Sequence, residues 1–159
     1  MNKEKIAFIP RQYLAVIAVL LAIMMSVLDG TIMNIALPTL AHDFDVTPST
    51  AIWIVNAYQL VITMTLLSFA SLGDIYGYRR IFLIGISIFV GASLACTLST
   101  SFWMLTAARV IQGFGAACVM SVNTALIRLI YPPQILGRGM GVNAMVVAVS
   151  AAAGPSIAG

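Results

Sequence analysis

Five long apolar stretches, separated by short polar connections, constrain this chain more than any other feature. They run over residues 13–37, 51–71, 81–98, 102–127 and 140–159. A helix that crosses the hydrocarbon core of a bilayer needs about 20 mostly apolar residues. Each stretch meets or approaches that length, and no connection is long enough to hold a soluble domain. The charge count agrees: eight Lys and Arg and five Asp and Glu serve 159 residues, while 61% of the residues are hydrophobic. Soluble domains carry about 25% charged residues; this chain carries 8%. Those figures exclude a soluble enzyme, a disordered tail and a nucleic-acid binder. The net charge of +3 reflects a scarcity of acids and not a basic patch. The expected fold class is therefore an all-α integral membrane protein, multi-pass, with lipid as its first partner.

The first stretch does not read as a signal peptide. It is longer than the roughly 7–15 residues of a signal h-region, and it carries an acid in its second half. Basic residues set the expected orientation. Lys3, Lys5 and Arg11 precede the first stretch, in a short tail expected over residues 1–12. Arg79 and Arg80 lie in the second loop, and Arg128 and Arg138 in the fourth. The first and third loops hold no Lys or Arg. The positive-inside rule then puts the N-terminus and the second and fourth loops in the cytoplasm. The fifth stretch reaches Gly159 with no polar flank, so the chain reads as the front part of a longer protein.

Of the thirteen charges, only Asp29 and Arg109 fall inside the stretches. A charge at the centre of a membrane helix costs about 2.5–3.5 kcal/mol on insertion scales, and such residues face a cavity or a partner. Asp29 lies eight residues before Leu37, roughly 12 Å inward at 1.5 Å per residue. Arg109 lies seven residues after Phe102, roughly 10 Å inward. An acid and a base at matched depth can pair if helices 1 and 4 face each other. Burial disfavours a carboxylate, and a neighbouring guanidinium favours it. A change in their separation would let Asp29 take up or release a proton. Arg109 keeps its proton at any useful pH and acts as modulator. A purely structural ion pair is the alternative.

The faces around these charges suggest a shared cavity. Ala22, Met25, Ser26, Met33 and Ala36 share the side of Asp29. Leu105, Gln112, Gly113, Ala116, Met120 and Asn123 share the side of Arg109. Helix 2 presents Asn56, Gln59 and Thr63 on one face, beside Trp53 and Leu60. Met suits a surface that accepts varied apolar shapes. Amides and small residues also hold membrane helices together, so Asn56, Gln59, Gln112 and Asn123 stand open between ligand contact and packing. No metal-ligand spacing and no nucleophile–base arrangement is present, which argues against a membrane-embedded enzyme. His42 reads as a solvated loop residue, and Cys96 and Cys118 as small apolar fillers.

Four segments of the sequence bear on the family. The turn Leu72-Gly73-Asp74-Ile75-Tyr76-Gly77-Tyr78-Arg79-Arg80 resembles the hallmark G-x-L-a-D-r-x-G-r-k motif of the major facilitator superfamily. Leu72, Asp74, Gly77 and Arg79 match, while Ala70, Ile75 and Tyr78 depart from it. Arg109-x-x-Gln112-Gly113-x-Gly115-Ala116-Ala117 is similar to the family's R-x-x-Q-G-x-G-a-a run. Ser150 to Gly159 resembles its antiporter motif g-x-x-x-G-P-x-x-G-G, with Gly154 and Pro155 matching. Leu28-Asp29-Gly30-Thr31-Ile32-Met33-Asn34-Ile35-Ala36-Leu37-Pro38 resembles the l-D-x-T-i-v-N-v-A-l-P motif of the 14-helix drug:proton antiporter branch.

The resemblance implies a major-facilitator-type helical bundle, here its first five transmembrane helices. It implies an exporter of lipophilic or cationic drugs or biocides in a bacterial cytoplasmic membrane, driven by the proton gradient without a cofactor. Asp29 and Arg109 would serve proton coupling. Met25, Met33, Asn34, Asn56, Gln59, Gln112, Met120 and Asn123 would line the substrate cavity. Asp74, Gly77, Arg79 and Arg80 would form a conformational latch, and Gly154 and Pro155 a hinge. The remainder of the chain, with a second helical bundle, would be a necessary partner, so these residues alone are expected not to transport. A proton-coupled uptake carrier of a small solute and a non-transporting membrane assembly subunit are the rival readings.

Overall fold

A computed structural model describes residues 3–131 and 133–158. Among them every long element is a helix: α1 (Lys3–Asp43), α2 (Pro48–Tyr76), α3 (Tyr78–Thr97), α4 (Phe102–Ile130) and α5 (Leu136–Ala158), with a 3₁₀ turn at Pro133–Ile135. All five are long and apolar enough to cross a membrane. In lipid this is forced, because a backbone without water must satisfy its own hydrogen bonds.

The helices overrun most of the apolar stretches that mark them. α1 is helical from Lys3, so the tail expected over residues 1–12 is largely helix, with Met1 and Asn2 outside the described residues. At its other end α1 runs through Pro38 to Asp43, although Pro38 offers no N–H to the Asn34 carbonyl. Helices α2, α4 and α5 also extend outward at one or both ends, and α3 starts three residues early and stops at Thr97. Apolarity records where lipid ends, whereas the hydrogen-bond ladder continues until a cap or turn stops it. Gly159 lies outside the described residues.

Local chemistry explains the turns. Thr47 caps α2, its Oγ1 accepting from the Thr50 N–H at 3.3 Å, and Pro48 occupies the first helical position. Ser101 caps α4 in the same way through the Met104 N–H. A single residue, Gly77, separates α2 from α3. Its φ of +93° is open to glycine and strained for other residues, and its N–H bonds the Gly73 carbonyl at 2.9 Å.

α4 is the enclosed element: 61% of its apolar span is buried, against 28% or less for the other four. It packs between α2 and α3, while α5 lies mainly against α1. Glycines set these approaches. A Cβ on Gly113 would stand 3.0 Å from the Tyr58 carbonyl oxygen of α2. A Cβ on Gly115 would stand 2.5 Å from the Phe89 nitrogen and 2.8 Å from the Gly85 oxygen of α3. Gly113 was legible as a close-packing residue; the Gly85–Gly115 crossing was not expected. Outward-facing Met64, Leu67, Trp103 and Leu129 are exposed, as suits a surface bathed in lipid tails.

Backbone atoms cannot move aside for a new methyl group. In the full-length protein Gly115→Ala is expected to cost about 1–3 kcal/mol through overpacking. Gly91→Ala, which meets nothing within 4 Å, is expected to be tolerated. Thermal unfolding in detergent checks this, and equal midpoints for the two variants would contradict the packing described.

Candidate functional site

The two charges in the membrane meet. Arg109 Nη1 donates to Asp29 Oδ2 at 2.6 Å, joining α4 to α1. The same nitrogen donates to Gln112 Oε1 at 2.6 Å, and Gln112 Nε2 donates to Asp29 Oδ1 at 3.0 Å. Gln112 follows Arg109 by three residues, so one helical face presents both side chains to the acid. Cys96 of α3 adds a longer contact, its Sγ 3.6 Å from Gln112 Oε1. The Arg109 Cζ lies 4.6 Å from the centre of the Tyr58 ring on α2. Four helices thus converge on one guanidinium.

Exposure differs across the pair. The Arg109 side chain is 1% exposed, whereas that of Asp29 is 21% exposed. The acid keeps partial exposure and the base is almost wholly enclosed. Among the described residues, Arg109 Nε and Nη2 are buried without a hydrogen-bond partner. Replacing either charged group alone leaves the other uncompensated.

Beside this network a cleft of about 230 Å³ opens between α1, α2 and α4. Thr31, Asn34, Tyr58, Gln59, Arg109 and Met120 are among its lining residues. Asn34 donates from Nδ2 to the Gly30 carbonyl at 2.8 Å. A second groove, of about 280 Å³, follows one face of α2 through Trp53, Asn56, Gln59, Leu60 and Thr63. Gln59 lines both, so the two are adjacent.

Four residues expected in the substrate cavity line neither the cleft nor the groove. Met25 lines an apolar cavity of about 240 Å³ with Ala18, Leu21, Ile86, Phe89 and Val90. It stands one turn from Asp29, and the helix has by then rotated toward α3. Met33 packs against the cluster of Ile54, Phe102 and Leu105. Asn123 is buried, and its Nδ2 donates to Asn143 Oδ1 of α5 at 3.0 Å. Asn143 was not anticipated. Its signal was available: it lies seven residues inside α5, and Asn123 seven residues inside the adjoining end of α4. Gln112 is a member of the ion-pair network.

At the turn between α2 and α3 the Tyr78 hydroxyl donates to Asp74 Oδ1. Tyr78 stands where the family motif has a basic residue. Arg79 and Arg80 are exposed, and among the described residues neither pairs with Asp74. Gly73 sits between the Tyr78 ring and Val122, with no room for a side chain. At the other motif, Gly154 of α5 lies directly against Thr31 of α1, and any Cβ there would overlap the Thr31 side chain. Pro155 stands inside α5, in the next position.

A family model described as Major Facilitator Superfamily matches residues 19–159. The chain belongs to that superfamily. Within it, the chain is 59% identical over 150 residues to an uncharacterized transporter, YebQ, of Escherichia coli, covering 94% of this chain and 33% of that protein. It is 35% identical to a riboflavin transporter, RibZ, of Clostridioides difficile, with the same coverage of each. It is 38% identical to a drug efflux pump, JefA, of Mycobacterium tuberculosis, over 94% of this chain and 30% of that one. The chain spans about a third of the length of these relatives. It is a multi-pass membrane segment of a transporter family.

The network makes a quantitative expectation. Breaking a buried ion pair by removing one partner costs about 3–5 kcal/mol, because a buried charge is left unpaired. In the full-length protein Asp29→Ala is expected to lower stability by about 3 kcal/mol, near the lower bound because Asp29 keeps partial access. The double variant Asp29→Leu/Arg109→Met is expected to recover most of that loss. Thermal unfolding of the two variants checks it; a double variant less stable than the single one would contradict the account.

Proposed function

We propose that the protein containing this chain is a proton-driven antiporter that exports lipophilic or cationic compounds. Asp29 is its titrating group and Arg109 its modulator. The observation that carries the reading is the membrane-buried Asp29–Arg109–Gln112 network beside an open, mostly apolar cleft edged by Thr31, Asn34 and Gln59. Relatives named as a drug efflux pump and as multidrug resistance proteins support the choice of cargo.

The cycle follows from the charges. Asp29 pairs with Arg109, a lining residue of the cleft, so an ionised Asp29 attracts a cation bound there. The helical bundles rock as rigid bodies about this midplane site. A proton from outside then neutralises Asp29, its electrostatic hold on the cation is lost, and the cargo leaves. The proton travels inward on the return stroke. Against a singly charged cation moving out, one proton moving in transfers no net charge, so the pH difference drives the exchange: one pH unit supplies about 1.4 kcal/mol, and a tenfold cargo gradient requires about 1.4 kcal/mol. One proton therefore supports a useful gradient.

The remaining motif residues take roles around that stroke. Asp74, bound by Tyr78, and Gly77 form the latch at the α2–α3 turn, with Arg79 and Arg80 beside it. Gly154 and Pro155 supply a close crossing and a weakened ladder where α5 meets α1. Asn34, Gln59 and Met120 contact cargo in the cleft, and Asn56 contacts it in the neighbouring groove. The setting is a bacterial cytoplasmic membrane with the N-terminus inside. The second bundle, supplied by the rest of the protein, is required, and no cofactor is needed. A second reading, proton-coupled transport of a small neutral solute, is favoured by the similarity to a protein named as a riboflavin transporter. Efflux of ethidium against transport of riboflavin separates the two.

Asp29→Asn in the full-length protein, reconstituted in vesicles, is expected to abolish proton release on ethidium binding and to cut pH-gradient-driven efflux more than tenfold. Unchanged proton release would exclude Asp29 as the carrier.

A further inference from the structure

Arg109 poses a problem that its hydrogen bonds leave unsolved. A guanidinium carries five N–H donors. Here Nη1 serves Asp29 and Gln112, while Nε and Nη2 are buried and have no acceptor among the described residues. What lies over the guanidinium is an aromatic face, the Tyr58 ring, 4.6 Å from Cζ. The negative face of an aromatic ring attracts a cation, more strongly where water is excluded. Tyr58 is itself 4% exposed and packs with Ile62, Phe89, Ala116 and Ala117, so the ring is held firmly. Its backbone carbonyl lies against Gly113, one turn along α4 from Arg109. The absent side chain at Gly113 is what lets α2 bring the ring this close.

We propose that Tyr58 is a positioning residue for proton coupling: its ring holds the Arg109 guanidinium in place while Asp29 carries a proton. The inference rests on the function proposed above. Protonation turns the Asp29 carboxylate into a neutral acid and moves no other proton, since Arg109 stays charged. At that moment a buried cation has lost its counter-charge, the costly arrangement in a low-dielectric interior. Of the groups facing Arg109, Asp29 comes from α1, Tyr58 from α2 and Cys96, through Gln112, from α3; Gln112 is on α4 itself. Once Asp29 is neutral, the ring is the one electron-rich face in that set placed over the guanidinium plane. Without it, the protonated state is disfavoured and Asp29 accepts its proton only in more acid solution.

The test uses the full-length protein in vesicles, with ethidium as cargo. Phenylalanine at position 58 keeps the ring face. Tyr58→Phe is expected to retain the wild-type pH profile of gradient-driven efflux. Tyr58→Leu removes the face and is expected to move the midpoint of that profile to lower pH by about 0.5–1 unit. Stepwise fluorinated phenylalanines at the same position keep shape and packing while draining the ring face of charge. They are expected to move the midpoint progressively in the same direction, which keeps the test open should Tyr58→Leu fail to fold. A profile indifferent to fluorination, or one that moves to higher pH, overturns the proposal. So does a Tyr58→Phe profile displaced as far as that of Tyr58→Leu, since it would point to the hydroxyl. The Asp29→Asn background separates the two levels. If Asp29→Asn alone retains coupling, the antiport reading fails. If it loses coupling while fluorination leaves the wild-type profile unmoved, only the role of Tyr58 fails.

Discussion

A guanidinium with 1% exposure at membrane depth governs the arrangement of this bundle. Such a charge is tolerated only where neighbours replace water, and each neighbour comes with its helix. Asp29 ties α1 to α4 and Tyr58 brings α2, while Cys96 reaches Gln112 from α3. The apolar effect that assembles soluble cores has little to offer between helices in lipid. A polar knot at one point and close van der Waals contact elsewhere take over that task.

Small residues make the knot geometrically possible. Gly113 and Gly115 stand two positions apart on α4 and admit α2 and α3 on different sides. The acid–base pair therefore joins α1 to a closely packed wedge of α2, α3 and α4. α5 is joined differently. It meets α1 at the Gly154–Thr31 crossing and α4 through the Asn123–Asn143 bond. Thr31 lies two residues from Asp29, so a shift of α5 against α1 is felt beside the Asp29–Arg109 pair. The Pro155 break in the α5 ladder lies next to that crossing. One contact thus links the Gly154–Pro155 segment of α5 to the stretch of α1 that carries Asp29.

Much of this was legible in the amino-acid order because membranes permit few alternatives. The five spans followed from apolar length, and the meeting of Asp29 with Arg109 from their matched depth and the cost of leaving either alone. Helix ends were less legible, since α1 passes through Pro38 and a residue scale for lipid says nothing about where hydrogen bonding stops. Cavity membership was read from the side of the helix shared with Asp29 or Arg109. Met120 lines the cleft beside Arg109, while Met25 and Met33 turn toward α3 and toward the Phe102 cluster. A face 100° wide on a helix touching three neighbours cannot be assigned to one of them without the crossing angles. The Tyr58 ring was hidden for a related reason: aromatic residues on membrane helices are common, and only the Gly113 approach places this one over a cation. Cys96, read as filler, has the apolar surroundings of one but a thiol within reach of Gln112.

The central claim is that Asp29 exchanges a proton for cargo while Arg109 stays charged beside it. Infrared difference spectroscopy on the full-length protein tests it directly, by following the carbonyl band of protonated carboxylic acids as ethidium is added. The account predicts a band that is present in the wild type, is lost as cargo binds, and is missing from Asp29→Asn. A cargo-sensitive band of equal size in both proteins would contradict it.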